Sequence, residues 1–153
     1  MITVVLYEPQ IPPNTGNIGR LCAATKARLH IVGKIGFDFE DKKLKRAGLD
    51  YWPFLNYKYF EDLKEYHRNL VKSHKFHLLT TKSPHVYTKR KFSDQDFLVF
   101  GSETKGIDDS ILNDHWEQTC TIPIKNKKIR SFNLANSVSI VLFEALRQIN
   151  ETT

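Results

Sequence analysis

Short apolar runs rich in β-branched and aromatic residues recur along the chain, at residues 2–7, 29–32, 76–79, 97–100 and 121–124. Each has the length of a strand, and helical patterns separate most of them. After the first run, Pro12-Pro13 breaks the chain, and Asn14 or Thr15 is placed to cap a helix reaching about Ala27. A basic helix is predicted over 41–47, with Gly48 ending it. An amphipathic helix is predicted over 60–71 with Phe60, Leu63, Leu70 and Val71 inward; a short one starts near Asp108 or Asp109, and the longest covers 133–149. Such strand–helix alternation predicts an α/β fold, a mostly parallel sheet flanked by helices. Ligands of such sheets collect beyond the carboxyl ends of the strands. The loops beginning at Thr80, Gly101 and Lys125 are therefore expected to share one rim.

The longest helix carries Leu134, Val138, Val141, Leu142, Ala145 and Ile149 on one stripe, yet Ile140, Phe143 and Leu146 put apolar surface elsewhere. A helix apolar on more than one side needs cover on more than one side. A second subunit or a deep seat in its own core would each supply it. At 153 residues, the chain is expected to form a single domain over 1–153. Lys and Arg number 23 against 17 Asp and Glu, a net +6 that suits a polyanionic partner such as nucleic acid. Cys22 and Cys120 make no disulfide framework, which points to a reducing compartment. No apolar stretch approaches the length of a membrane span, and a cytoplasmic location is expected.

Three clusters stand out as candidate sites. "VFGSETKGID" has the G-x-x-x-x-G spacing of a phosphate loop, but Ile107-Asp108 follow the second glycine where Lys and Ser or Thr would be required, and Glu103 would face the anion. It is not a triphosphate site. "PPNTGNIGR" places Gly16, Gly19 and Arg20 around a helix start, without the first glycine of a dinucleotide fingerprint. Read locally, it is a helix N-terminus able to meet an anion. "KNKKIRSFNLANS" sets basic residues ahead of Ser131, Asn133 and Asn136, residue types that favour caps and binding positions over helix interiors. The histidines show no metal spacing, and no nucleophile–base pair stands out.

Taken together, "NTGNIGRLC", "FGSETKGI" and "IPIKNKKIRSFNLANSVSIVLFE" resemble motifs one, two and three of the SPOUT methyltransferases. The opening "LYEPQIPPNTGNIGRLC", "GFDFEDKKLKRAGLDY" and "LLTTK" resemble most closely the YibK-like tRNA 2′-O-methyltransferases, and the likeness runs over essentially the whole chain. Gly19 and Ser102 stand at variable motif positions. The resemblance implies a SPOUT fold whose C-terminal segment is threaded into a deep trefoil knot, a feature that un-knotted connections would not propose. It implies a homodimer, without an added RNA-binding domain. It also implies S-adenosylmethionine as methyl donor, S-adenosylhomocysteine as product, no metal, and as substrate the anticodon stem-loop of certain leucine tRNAs, methylated at the wobble nucleotide, position 34.

Carried over by motif, Leu79, Gly101, Glu103, Ile122 and Ser131 resemble the cofactor-binding positions, with Gly101 expected to let backbone approach the adenosyl group. Glu103 is expected to order the pocket or meet a positive group. Arg20, Asn14 and Asn133 resemble the catalytic positions. Because a guanidinium stays protonated, Arg20 is expected to orient the neighbouring phosphate and stabilise developing alkoxide charge. Lys42, Lys43, Lys45 and Arg46, with Lys127, Lys128 and Arg130, are candidate phosphate contacts, and Tyr51 a candidate stacking surface for a base. The rival expectations are a SPOUT enzyme acting on ribosomal RNA or another tRNA position, a non-catalytic RNA-binding module, and a Rossmann-type oxidoreductase.

Overall fold

The computed structural model describes residues 1–48 and 50–151. Leu49, within the quoted "GLDY" segment, lies outside them. Strands β1 (Thr3–Tyr7), β2 (Arg28–Val32), β3 (Tyr57–Phe60), β4 (Phe76–Leu79), β5 (Phe97–Phe100) and β6 (Thr119–Cys120) form one sheet in the order β3-β2-β1-β5-β4-β6. Every pairing is parallel. The chain lays strands outward from β1 to β3, crosses over, and returns β5 to the other side of β1. The direction of strand order therefore switches between β1 and β5, and a crevice opens at their carboxyl ends.

β1 and β5 are buried at every residue, so they read as continuous apolar runs, as parallel strands covered on both faces must. Their alternate residues feed two cores. Val4, Leu6, Leu98 and Phe100 join one, beneath helices α1 (Pro12–Thr25) and α5 (Leu134–Glu151). Val5, Tyr7, Phe97 and Val99 join the other, beneath α3 (Leu63–Ser73) and α4 (Asp109–Asp114). On α5, Leu134, Val138, Val141, Leu142 and Ala145 are buried as the stripe predicts, each Val or Leu contributing roughly 1.5–3 kcal/mol by leaving water. Phe143 remains 55% exposed, and Ile140 and Leu146 are half-buried.

Several expectations shift. α1 begins at Pro12 rather than at an Asn14 or Thr15 cap: its two prolines occupy the first helical positions, where no N–H is missed. The aromatic run 57–60 is an edge strand, so Phe60 belongs to β3. α3 starts after Asp62, whose carboxylate accepts the Glu65 N–H at 3.0 Å. Tyr66 and Leu70 form the buried side of α3, whereas Val71 is 38% exposed. The last strand falls at 119–120, with only a bridge from Thr121 to Val86 beyond it; Pro123 can donate nothing to a ladder. Basic α2 (Lys42–Gly48) lies on α1, where a Cβ on Gly16 would sit 2.4 Å from the Ala47 Cβ. The glycine is there to let two helices touch. Cys22 and Cys120 are free buried thiols, each pushed up to about 12 by burial.

Candidate active site

Three loops meet at the carboxyl end of the sheet, and a cavity of about 310 Å³ lies between them. Thr80–Lys82 follow β4, Gly101–Ile107 follow β5, and Thr121, Ile122 and Arg130–Phe132 follow β6 and lead into α5. The predicted cofactor residues Leu79, Gly101, Glu103, Ile122 and Ser131 all line this cavity, joined by Arg130, Phe100, Leu134 and Ser137. Its volume falls at the lower end of the roughly 300–1,000 Å³ of small-molecule sites. Apolar walls from Leu79, Phe100, Ile122 and Leu134 suit a flat aromatic base, and the hydroxyls of Thr80, Ser131 and Ser137 suit a polar tail. The donor set therefore fits S-adenosylmethionine, whose adenine and amino-acid ends ask for those two surfaces.

The 101–107 loop folds back on itself. The Gly106 N–H donates to the Ser102 carbonyl at 3.0 Å, the Lys105 N–H to the Ser102 hydroxyl at 3.2 Å, and Gly106 adopts φ +67°. A Cβ on Gly101 would stand 2.0 Å from the Gly106 carbonyl carbon and 2.2 Å from the Ile107 nitrogen. Glycine is thus required at 101 by the loop's own backbone, at a position that also lines the cavity. Both glycines of the G-x-x-x-x-G spacing serve one turn.

Glu103 is the pivot of the site. Its Oε1 accepts the Gln10 N–H and its Oε2 the Ile11 N–H, each at 2.8 Å, and the Asn14 amide adds a third contact at 3.3 Å. α1 has no cap from its own first residues, so a carboxylate from the neighbouring strand's loop meets the partial positive charge of its N-terminus. The anion that this helix start can hold is part of the chain. Asn14, 7% exposed, accepts the Asn133 amide on its Oδ1 at 2.9 Å. Asn133 in turn caps α5, its Oδ1 accepting the Asn136 N–H at 3.1 Å. One hydrogen-bonded row therefore joins the three sequence clusters across the strand-order switch.

Arg20 is exposed and does not line the cavity; its guanidinium lies over the Tyr51 ring, 4.5 Å from the centroid. It stands six residues, or about 9 Å of helix, beyond Asn14. Gly19, like Gly16, is a packing residue, because a Cβ there would meet Trp52 at 3.0 Å. Lys42, Lys43 and Arg46 are exposed on α2, while Lys45 pairs with Glu40 at 2.6 Å. Lys127, Lys128 and Arg130 are exposed, and of these Arg130 reaches the cavity wall. Sequence reasoning missed Gln10, whose amide donates to the carbonyls of Glu8 and Lys34 at 2.8 and 2.9 Å and so fixes the loop that Glu103 holds. It also missed Lys82, on the cavity rim and paired with Asp109. A charged residue just past a predicted strand end was the available signal for Lys82; Gln10 offered none.

A parallel α/β sheet with a cavity on its strand-end loops defines a broad class of ligand-binding α/β proteins, and the sequence narrows it. The SpoU rRNA Methylase family model matches residues 1–143, and the chain belongs to that family of methyltransferases. The tRNA (cytidine(34)-2′-O)-methyltransferase of Escherichia coli K12 is 45% identical over 150 residues, covering 97% of this chain and 94% of the relative. A solved structure concerned with the 2-OH methylation of C/U34 on tRNA superposes with TM-score 0.92 at 33% identity, covering 99% of this chain and 97% of that one. The SpoU methyltransferase AviRb of Streptomyces viridochromogenes shares the fold at 23% identity, with TM-score 0.83 over 99% of this chain and 61% of its own.

Proposed function

We propose that the chain methylates the ribose 2′-hydroxyl of the wobble nucleotide, position 34, of certain leucine tRNAs, with S-adenosylmethionine as donor and S-adenosylhomocysteine as product. The observation that carries this reading is the placement of all five motif-matched cofactor residues on one cavity, beside the row Glu103–Asn14–Asn133. The relatives' names supply the nucleotide. When bound, the cofactor supplies a sulfonium methyl group. Its transfer to the ribose oxygen would break the carbon–sulfur bond as the oxygen–carbon bond formed, with the hydroxyl proton released to solvent.

The chain's own part is alignment and charge. Leu79 and Ile122 hold the base, and Ser131 receives the polar tail. Glu103 keeps the cavity wall against α1, so the helix that carries Arg20 is set relative to the donor site. Arg20, always charged, meets the phosphate next to the reacting ribose and stabilises the oxygen as its proton leaves. The Tyr51 ring holds the guanidinium in place. Exposed Lys42, Lys43, Arg46, Lys127, Lys128 and Arg130 take further phosphates of the anticodon stem-loop. A homodimer and the trefoil knot belong to the same reading. The side of α5 bearing Phe143, with half-buried Ile140 and Leu146, supports a second copy as its cover.

The test is purified protein with leucine tRNA and methyl-labelled S-adenosylmethionine, followed by mapping of the label. Label on the ribose of nucleotide 34 is the expected result. Label on ribosomal RNA or another tRNA position would overturn the substrate while keeping the reaction. No label, together with no cofactor binding, would overturn both.

A further inference from the structure

On the other side of the 101–107 loop lies a larger cavity of about 1110 Å³, bounded by the loops after β1 and β2, by α3 and by the start of α4. Ser102 and Thr104–Ile107 wall both cavities. The second is ringed by five cations, Lys34, Lys64, Arg68, Lys72 and Lys105, over a floor that includes Tyr7, Leu63 and Ile111. All five are exposed, and none forms an ion pair among the described residues. Both acids of the lining are engaged elsewhere. Glu8 accepts the Lys34 N–H at 2.8 Å, and Asp108 caps α4 through the Ser110 N–H at 2.9 Å. The groove is therefore cationic, with its carboxylates turned to backbone.

The arrangement of these charges selects the ligand. Lys64, Arg68 and Lys72 are four residues apart, on one side of α3, and span about 12 Å of helix. Such a row does not converge on one point, as a site for a single phosphate or nucleotide would; it matches a line of charges. At about 3.4 Å per phosphate along one strand of a nucleic-acid helix, 12 Å corresponds to about three phosphates. The groove also exceeds the size of the cofactor cavity more than threefold. None of its cations belongs to the basic clusters at 42–46 or 125–130 that the sequence singled out.

We propose that this groove is a second RNA track, along which the sugar–phosphate backbone of the substrate tRNA passes Lys64, Arg68 and Lys72 and bears on the outer side of the loop that walls the cofactor cavity. The inference rests on the tRNA reading above and adds the surface by which a small chain holds more of its substrate than the reacting nucleotide.

The test is the variant Lys64→Gln/Arg68→Gln/Lys72→Gln, compared with the unaltered chain for tRNA affinity over a series of salt concentrations and for S-adenosylmethionine affinity without RNA. With three phosphate contacts gone, the slope of log affinity against log salt should become shallower by about 2, and tRNA affinity at moderate salt should fall about tenfold or more. Cofactor affinity should stay within about twofold, since the three residues do not line that cavity. If the triple variant does not fold, each single exposed substitution should lower the slope by about 0.7. An unchanged slope and affinity in variants of a chain that methylates tRNA would overturn the track and leave the functional reading standing. An unaltered chain that binds and methylates no tRNA would overturn the reading and the track together.

Discussion

Two carboxylates bracket strand β5, and they use similar bonds for different ends. Asp96 precedes the strand, 2% exposed, and receives the His77 Nε2 at 2.8 Å and the Ser93 N–H at 2.9 Å, with the Lys75 ammonium at 3.4 Å. Glu103 follows the strand, half-buried, and receives two N–H groups from the start of α1 and an amide from Asn14. At the amino end the partners close on one another, and both Asp96 and His77 are buried. At the carboxyl end they are loop and helix termini that border open space. In a parallel sheet one end of a strand can be sealed for stability while the other stays available for a ligand, because the connections on the two ends are independent.

Breaking the amino end should cost stability and leave the site alone. Asp96→Ala strands the His77 imidazole and the Ser93 N–H in the interior, where His77 Nδ1 already lacks a partner among the described residues. Urea denaturation should show a loss of about 3 kcal/mol or more, with calorimetry finding unchanged cofactor affinity in the folded fraction. Weakened cofactor binding at full folding would end the contrast.

At the other end the expected losses are functional. Arg20→Ala should lower single-turnover methylation by about 10²-fold, while cofactor affinity moves within about threefold; equal loss of both in a folded variant would remove the role given to Arg20. Glu103→Gln keeps the shape of the side chain but not its charge. It should weaken cofactor binding by about tenfold through a loosened wall, with a loss of about 1–2 kcal/mol in stability. The smallest effect concerns the middle of the sheet. His30, bonded to the Tyr66 hydroxyl at 2.7 Å, is lowered by burial to about 4, and burial also lowers His77. The unfolded chain therefore takes up protons below about 6.5 that the folded chain refuses. Stability is full above that pH and declines as pH falls toward about 4. A His30→Gln variant should flatten part of this decline in urea midpoints measured from pH 7 to 4.5, with cofactor affinity following neither curve.

Much of the site was legible from the motifs: Leu79, Gly101, Glu103 and Ile122 share a cavity because each lies at or shortly past a strand end, and Ser131 joins them from the segment that leads into α5. The reasons were less legible. Gly101 looked like room for a ligand and is also room for its own loop; Gly16 and Gly19 looked like fragments of a nucleotide fingerprint and are contacts with Ala47 and Trp52. A glycine in a sequence says that something comes close, not what. The edge strand β3 was hidden because its aromatic run leads straight into a helical pattern, and the cations of α3 form a groove only because the fold brings Lys34 and Lys105 to the same cavity.

Local periodicity by itself determined β1, β2, β4 and β5 to within a residue, the parallel class of the sheet, and the apolar stripe of α5, because each depends on neighbours a few residues away. The placement of β5 beside β1 was a decision of the tertiary structure. From it follow the bond from Asn14 to Glu103 across 89 residues and that from Asn133 to Asn14 across 119. No period in the chain carries such pairings; they exist because β5 returns beside β1 within a sheet that has a core on each face.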